Sequence, residues 1–318
     1  MKKPKLFITN YIPEPAIKRL EEVFEVEIFP ENRAITHEEL RKKVKEIDAL
    51  ICLLTDNIDR EIIEAAPHLK CISVYAVGYN NVDVESATEH NIVVCNTPGV
   101  LTETTADLAW ALIMSCARRI VEADRFVREG KFRGWEPMLM LGNDIFGKTL
   151  GIIGMGRIGR AVAHRALGFD MKVIYYDSQV DPESVPTDYI AVDLTTLFHN
   201  SDFISIHTPL TPETRHLIGE KEFNLMKSTA ILINTARGPI IDEQALISAL
   251  KENKIAGAGL DVYENEPIIP EELIALSNVV LLPHIGSASY ETRTKMALLA
   301  AENAIAVIEG NNPPARVN

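Results

Sequence analysis

The chain has 318 residues, 47% hydrophobic and 24% charged, with a formal net charge of −13. That length exceeds what one hydrophobic core usually serves, so about two domains are expected, and the composition excludes a disordered chain. The acidic balance opposes general attraction to nucleic acid or anionic lipid, and no apolar run approaches the roughly eighteen residues of a membrane span.

In chain order, the opening apolar stretch Leu6-Phe-Ile-Thr9 runs into Asn10, too short for a signal peptide. Strands are expected at residues 5–9, 26–29, 49–53, 71–74 and 92–95, with helices between them at 17–23 and 38–47. The second helix is opened by Thr36 with Glu39 three residues on, a capping box. A long helical segment is expected over 102–130, its small and apolar face running through Ala106, Ala109, Trp110, Ile113 and Met114. A second series of strands follows at 149–153, 172–176, 203–207, 230–234, 257–262 and 279–282, and a final amphipathic helix at 290–308. Pro98-Gly99 and His284-Ile-Gly286 each end a strand before a long helix and are the hinge candidates. If both are crossings, the last helix returns to the first domain. Cys52, Cys71, Cys95 and Cys116 are widely spaced without C-x-x-C, so they are expected as buried thiols in a reducing cytoplasm.

The run Gly154-Met155-Gly156-Arg157-Ile158-Gly159 lies between an apolar strand and a helical pattern. In that setting the first glycine makes a tight turn, the second lets backbone approach a pyrophosphate, and the third allows close helix–sheet packing. Eighteen residues past Gly159, Asp177 ends the next strand, where a carboxylate meets an adenosine ribose. Arg237, in Asn234-Thr-Ala-Arg-Gly-Pro239, follows a strand and can fork onto a carboxylate, though a surface arginine in a turn reads the same way. His284, in Leu282-Pro-His-Ile-Gly286, and Glu266, between Asn265 and Pro267, also have ordinary structural readings when taken singly. The histidines lack H-E-x-x-H spacing and the cysteines supply no ligand set, so no metal is expected.

Together these motifs resemble the D-isomer-specific 2-hydroxyacid dehydrogenase family along essentially the whole chain. The resemblance rests on Tyr75-Ala-Val-Gly-Tyr-Asn-Asn-Val-Asp83, the Gly154–Gly159 loop, Ile231-Leu-Ile-Asn-Thr-Ala-Arg-Gly-Pro239, Ala258-Gly-Leu-Asp-Val262 with Glu266-Pro267, and Pro283-His-Ile-Gly-Ser287. Within the family it is most similar to glyoxylate and hydroxypyruvate reductases, through Asn96-Thr-Pro-Gly99, Gly134-Trp135 and Ile285-Gly-Ser-Ala-Ser289.

The resemblance implies an α/β protein of two doubly wound parallel-sheet domains, a Rossmann cofactor domain (100–285) inserted into a flavodoxin-like substrate domain (1–99 and 286–318), with the active site in the cleft between them. It implies a catalytic set in which Arg237 binds the substrate carboxylate and polarises the keto oxygen, His284 is the acid/base, and Glu266 orients His284. Val77, Gly78, Ser287 and Trp135 are the further substrate-binding residues it implies. Cofactor contacts are implied at Thr105, the loop residues Gly154, Gly156, Arg157, Ile158 and Gly159, at Asp177, at His207, Thr208 and Pro209, and at Thr235, Ala236, Asp261 and Gly286. The sequence departs from the family pattern at Asn80, where relatives usually have Asp, and at Asp177, where similar reductases often carry a neutral or basic residue. The expected reaction is reduction of glyoxylate or hydroxypyruvate to the D-2-hydroxy acid, with NADH preferred over NADPH because Asp177 would repel a 2′-phosphate. Alternatives on the same scaffold are 2-ketogluconate, pyruvate, phosphoglycerate or phosphite as substrate, although the last is expected to show a lysine near Val77–Gly78 and none is there, or a non-catalytic NADH-sensing protein resembling a corepressor. The stretch from Arg118 to Gly142 resembles the arm through which family members pair, so a homodimer is expected, with Trp135 either reaching the partner's site or packing in its own subunit.

Overall fold

The computed structural model describes residues 3–318, which form two compact units: the chain up to Leu101 with Ser287–Asn318, and Thr102–Gly286. In the first unit, strands β1 (Lys5–Ile8), β2 (Glu25–Ile28), β3 (Ala49–Cys52), β4 (Cys71–Val74) and β5 (Val93–Cys95) form a parallel sheet in the order β2-β1-β3-β4-β5. Both faces are covered, which is why strands such as β3 are apolar at every position instead of alternating with polar residues. Leu6 and Ile8 point to one core, shared with helices Glu14–Val23 and Tyr290–Ile308, while Phe7 points to the other, shared with His37–Lys43, Arg60–Glu64 and Val84–Glu89. The last helix packs on this sheet through Met296 and through Ala297, Ala300, Ala301 and Ala304, whose small side chains let its backbone come close. Ser73 Oγ donates to the Ala300 carbonyl at 3.0 Å as a result. The capping box is present, with Thr36 Oγ1 accepting from Glu39 N and Glu39 Oε2 accepting from Thr36 N.

The second unit holds a seven-stranded parallel sheet of β6 (Thr149–Ile153), β7 (Lys172–Tyr176), β8 (Tyr189–Ala191), β9 (Phe203–Ile206), β10 (Ile231–Asn234), β11 (Gly257–Leu260) and β12 (Val279–Leu281). Its order is β12-β11-β10-β9-β6-β7-β8. The chain therefore winds outward from β6 in one direction and from β9 in the other, which places the topological switch point between β6 and β9. Leu150 and Ile152 join the core under helices Thr102–Ala117 and Arg157–Ala166, and Ile153 joins the opposite core with Leu197, Phe223 and Leu246.

Two elements differ from expectation. β8 is a three-residue edge strand, Tyr-Ile-Ala, with only Tyr189 buried, and so short an apolar run is not expected as a strand. The expected helix over 102–130 is two helices, Thr102–Ala117 and Ile120–Arg128, broken at Arg119, whose φ is +52°. The break is tertiary: the passing strand of chain at Gly142–Asn143 takes the Ala117 carbonyl through Asn143 N at 2.8 Å, and the Arg119 guanidinium pairs with Glu122. Among the described residues no helix is long and apolar enough to cross a membrane.

Candidate cofactor and catalytic site

The switch point of the second sheet is built by the glycine loop after β6 and by His207-Thr-Pro after β9. Gly154 has φ +97°, and a Cβ there would stand 2.6 Å from Thr208 N, so the two strand ends meet at a position only glycine fills without strain. A Cβ at Gly159 would lie 2.0 Å from the Gly154 carbonyl oxygen, so the third glycine lets the helix sit against the loop. Gly156 differs from both: a Cβ there would meet no heavy atom within 4 Å. It caps helix Arg157–Ala166 with no side-chain hydrogen bond, and no acidic residue lies in the first turn. The open space beside free-pointing helix N–H groups fits a pyrophosphate.

The loop is clamped from both sides of Met155. Its N–H donates to Asp177 Oδ2 at 2.7 Å, and its carbonyl accepts from Arg160 Nε at 3.1 Å, while the same guanidinium reaches Ser184. Asp177 Oδ1 also accepts from the N–H groups of Gln179 and Val180. Its carboxylate is thus fixed at the end of β7, beside the first glycine turn, where an adenosine ribose would lie. His207 Nε2 is 2.8 Å from Ser205 Oγ, and burial pushes the imidazole down to about 3, so it is a neutral part of the wall.

Arg237, Glu266 and His284 follow β10, β11 and β12, which are neighbours in the sheet. Adjacent strands lie about 4.8 Å apart, which explains how residues distant in sequence converge at one edge. Buried Asn234 holds the first loop, donating from Nδ2 to the Arg237 carbonyl at 2.9 Å and accepting from Ala236 N at 3.0 Å. Burial pulls the Arg237 guanidinium below its ordinary value, and the Glu266 carboxylate opposes that pull. Glu266 Oε2 lies 2.8 Å from His284 Nδ1, and Glu266 Oε1 accepts from Tyr263 N at 3.0 Å. Burial raises the Glu266 carboxyl, but the His284 bond and charge, the Tyr263 amide and Arg237 outweigh it, and the group is held below the ordinary carboxylate range. An ionised Glu266 can only accept, so Nδ1 carries a proton and Nε2 is left for chemistry.

His284 has φ +54°, a region that residues with a Cβ seldom adopt. The next two amides explain how it is held: Ile285 N and Gly286 N donate to the two oxygens of Asp261, each at 2.7 Å. Asp261 is 1% exposed, and burial pushes its carboxyl up against the opposing amide of Ile285. A Cβ at Gly286 would stand 3.2 Å from Asp261 Oδ2 and 3.6 Å from Thr105, so these three positions are gathered together. Thr235 Oγ1, in the Arg237 loop, is buried with no hydrogen-bond partner in the protein. Such a group is costly unless a ligand satisfies it, which fits a dinucleotide passing over the strand ends.

The other expected substrate residues are carried by other segments of the chain. Val77 and Gly78 follow β4 in the first unit, where Asn96 Nδ2 donates to the Val77 carbonyl at 2.8 Å and fixes that peptide. Ser287 is half-buried, and its carbonyl accepts from Ser289 N. Trp135 is 84% exposed in the segment that follows helix Ile120–Arg128, so it does not pack within its own unit. The sequence motifs include Asn96 and Asn234 but assign them no role, and Arg160 belongs to none of them. Each is a polar residue beside an apolar run or glycine turn, a pattern with no chemical signature until its backbone partner is seen.

The family model described as the D-isomer specific 2-hydroxyacid dehydrogenase NAD binding domain matches residues 110–286. The glyoxylate reductase of Thermococcus litoralis is 56% identical over 323 aligned positions, covering 99% of this chain and 97% of that one. The TT0316 protein of Thermus thermophilus superimposes with a TM-score of 0.94 at 46% identity, covering 99% of this chain and 100% of that one. The NADPH-dependent glyoxylate/hydroxypyruvate reductase of Sinorhizobium meliloti, solved with NADP and malonate, gives 0.88 at 31% identity, covering 99% and 97%. With the glycine turn, strand order and Glu–His pair of this chain already in view, these matches make the conclusion direct: this chain belongs to the D-isomer specific 2-hydroxyacid dehydrogenase family.

Proposed function

We propose that the protein reduces glyoxylate, and hydroxypyruvate beside it, to the corresponding 2-hydroxy acid with NADH in preference to NADPH. The observation that carries this reading is the 2.8 Å contact between Glu266 and His284 Nδ1 at the same sheet edge as Arg237. The reduced nicotinamide, when bound, supplies a hydride. Arg237 pairs with the substrate carboxylate through its planar fork and draws charge toward the keto oxygen. His284 Nε2 holds the proton that this oxygen takes up, and Glu266, accepting from Nδ1–H, orients the ring and stabilises its doubly protonated form. Backbone N–H groups at Val77 and Gly78, with Ser287 and Trp135, complete the proposed substrate contacts.

Asp177 supports the NADH preference, since its fixed carboxylate can accept from a ribose hydroxyl and would repel a phosphate there. An exposed apolar arm of Phe132, Trp135, Met138 and Leu141 supports a homodimer. The four cysteines, all free thiols, support a cytoplasmic setting. The test is a panel of keto acids with each cofactor, followed by loss of reduced-cofactor absorbance. Glyoxylate or hydroxypyruvate should give the highest kcat/KM, with NADH; a preference for NADPH, or for a larger keto acid, would contradict the reading. Sedimentation at micromolar concentration should show a dimer, and a monomer would remove that part.

A further inference from the structure

Tyr263 sits between Asp261 and Glu266 in the loop after β11, is 5% exposed, and has no role in the reaction described above. Its backbone and side chain nonetheless reach each of the three loops that carry the chemistry. Its N–H donates to Glu266 Oε1 at 3.0 Å. Its hydroxyl donates to the Leu282 carbonyl at 2.8 Å, two residues before His284. Its own peptide lies against the Arg237 loop so closely that a Cβ on Gly238 would stand 1.9 Å from the Tyr263 carbonyl. The loop is further tied down at the next residue, where Glu264 N donates to Glu243 Oε1, Glu264 Oε2 accepts from Glu243 N, and Glu264 Oε1 meets His216 Nε2 at 2.8 Å.

We propose that the Tyr263 hydroxyl is a positioning element for the acid/base pair, holding the turn that carries His284 in register with the loop that carries Glu266. The inference rests on the proposed function. His284 is held from its far side by Asp261 through the amides of residues 285 and 286. From the near side, Leu282 N donates to the Leu260 carbonyl at 2.8 Å and the Leu282 carbonyl accepts from Tyr263. Without the hydroxyl bond the near anchor reduces to one backbone bond, and a left-handed residue has reason to relax. Burial, helped by the charges of Asp261 and Glu266, pushes the phenol up to about 12, so it remains a donor at every working pH.

Tyr263→Phe tests this, because it removes only the hydroxyl and leaves the ring in its cluster with Leu260 and Leu273. The kcat for glyoxylate should fall about 10-fold to 10²-fold, since small misplacements of a reacting group cost that much. The KM and NADH affinity should stay within about twofold. In an H284A background, Y263F should cause no further loss, because the hydroxyl acts through the imidazole. Unchanged kcat in Y263F would overturn the proposal, as would an equal loss in the H284A background, which would mark a general structural role. Failure of the underlying reading is separate and visible first: a wild-type enzyme without keto-acid turnover, or an H284A variant as active as wild type.

Discussion

Replacing Gly156 and Gly159 singly by alanine separates what the glycine loop does for the fold from what it does for the cofactor. Gly156 has φ −73° and ψ −161°, which an alanine adopts freely, and its added methyl meets no protein atom within 4 Å. Reduced freedom of the unfolded chain stabilises such a variant by about 0.4–1 kcal/mol, and the poorer N-cap costs a similar amount, so the net should fall within about 0.5 kcal/mol of zero. The methyl instead occupies the space proposed for the pyrophosphate, and the affinity for NADH should drop at least about tenfold, or roughly 1.4 kcal/mol. Gly159 is the opposite case. Its methyl would stand 2.0 Å from the Gly154 carbonyl oxygen, so backbone must move. Overpacking of about 1–3 kcal/mol outweighs the roughly 0.8–1 kcal/mol that alanine gains in a helix interior. The melting temperature of G159A should therefore fall by several degrees. Thermal melts and NADH titration by fluorescence measure both properties. A G156A variant that melts like wild type and binds NADH equally well would refute the placement of the pyrophosphate.

Arg237→Lys keeps the charge and loses the fork, so kcat/KM for glyoxylate should fall by about 2 kcal/mol or more with NADH affinity unchanged; steady-state kinetics showing wild-type efficiency would remove Arg237 from the site. Because His284 must give a proton in reduction and accept one in oxidation, rising pH should weaken reduction and strengthen oxidation, and identical initial-rate profiles in the two directions would contradict its role. His207 is pushed down to about 3 when folded, below its unfolded value near 6.5, so the unfolded chain binds the extra proton between these limits and acid destabilises the fold. From pH 7 to pH 5 that loss is about 2 kcal/mol, and urea unfolding of H207N should show a correspondingly shallower pH dependence; equal slopes would refute it.

Most strands were legible because each is an apolar run buried on both sides, as at β4 and β6, where the expected and observed limits coincide. β8 escaped because its apolar stretch Tyr189-Ile-Ala is only three residues long and lies at the sheet edge, with one side chain buried. The break at Arg119 escaped for a different reason: the group that ends the helix, Asn143 N, is far along the chain, and Arg118-Arg119 contains neither glycine nor proline. At the site, the glycine spacing carries its own steric logic, and the surroundings of Gly154, Gly156 and Gly159 differ in the way that logic requires. By contrast, nothing in Leu282-Pro-His announces a left-handed histidine, and the double use of Asp261 by residues 285 and 286 is visible only once β11 and β12 are paired. Trp135 illustrates the limit of reading residue type alone, since a tryptophan is usually sheltered and this one is exposed within its unit.

The most direct test of the account compares wild type with His284→Ala for glyoxylate reduction at saturating NADH, with NADH affinity measured on the same samples. Turnover should fall about 10²- to 10⁴-fold, with NADH binding nearly unchanged. An alanine variant that retains most of its turnover would contradict it.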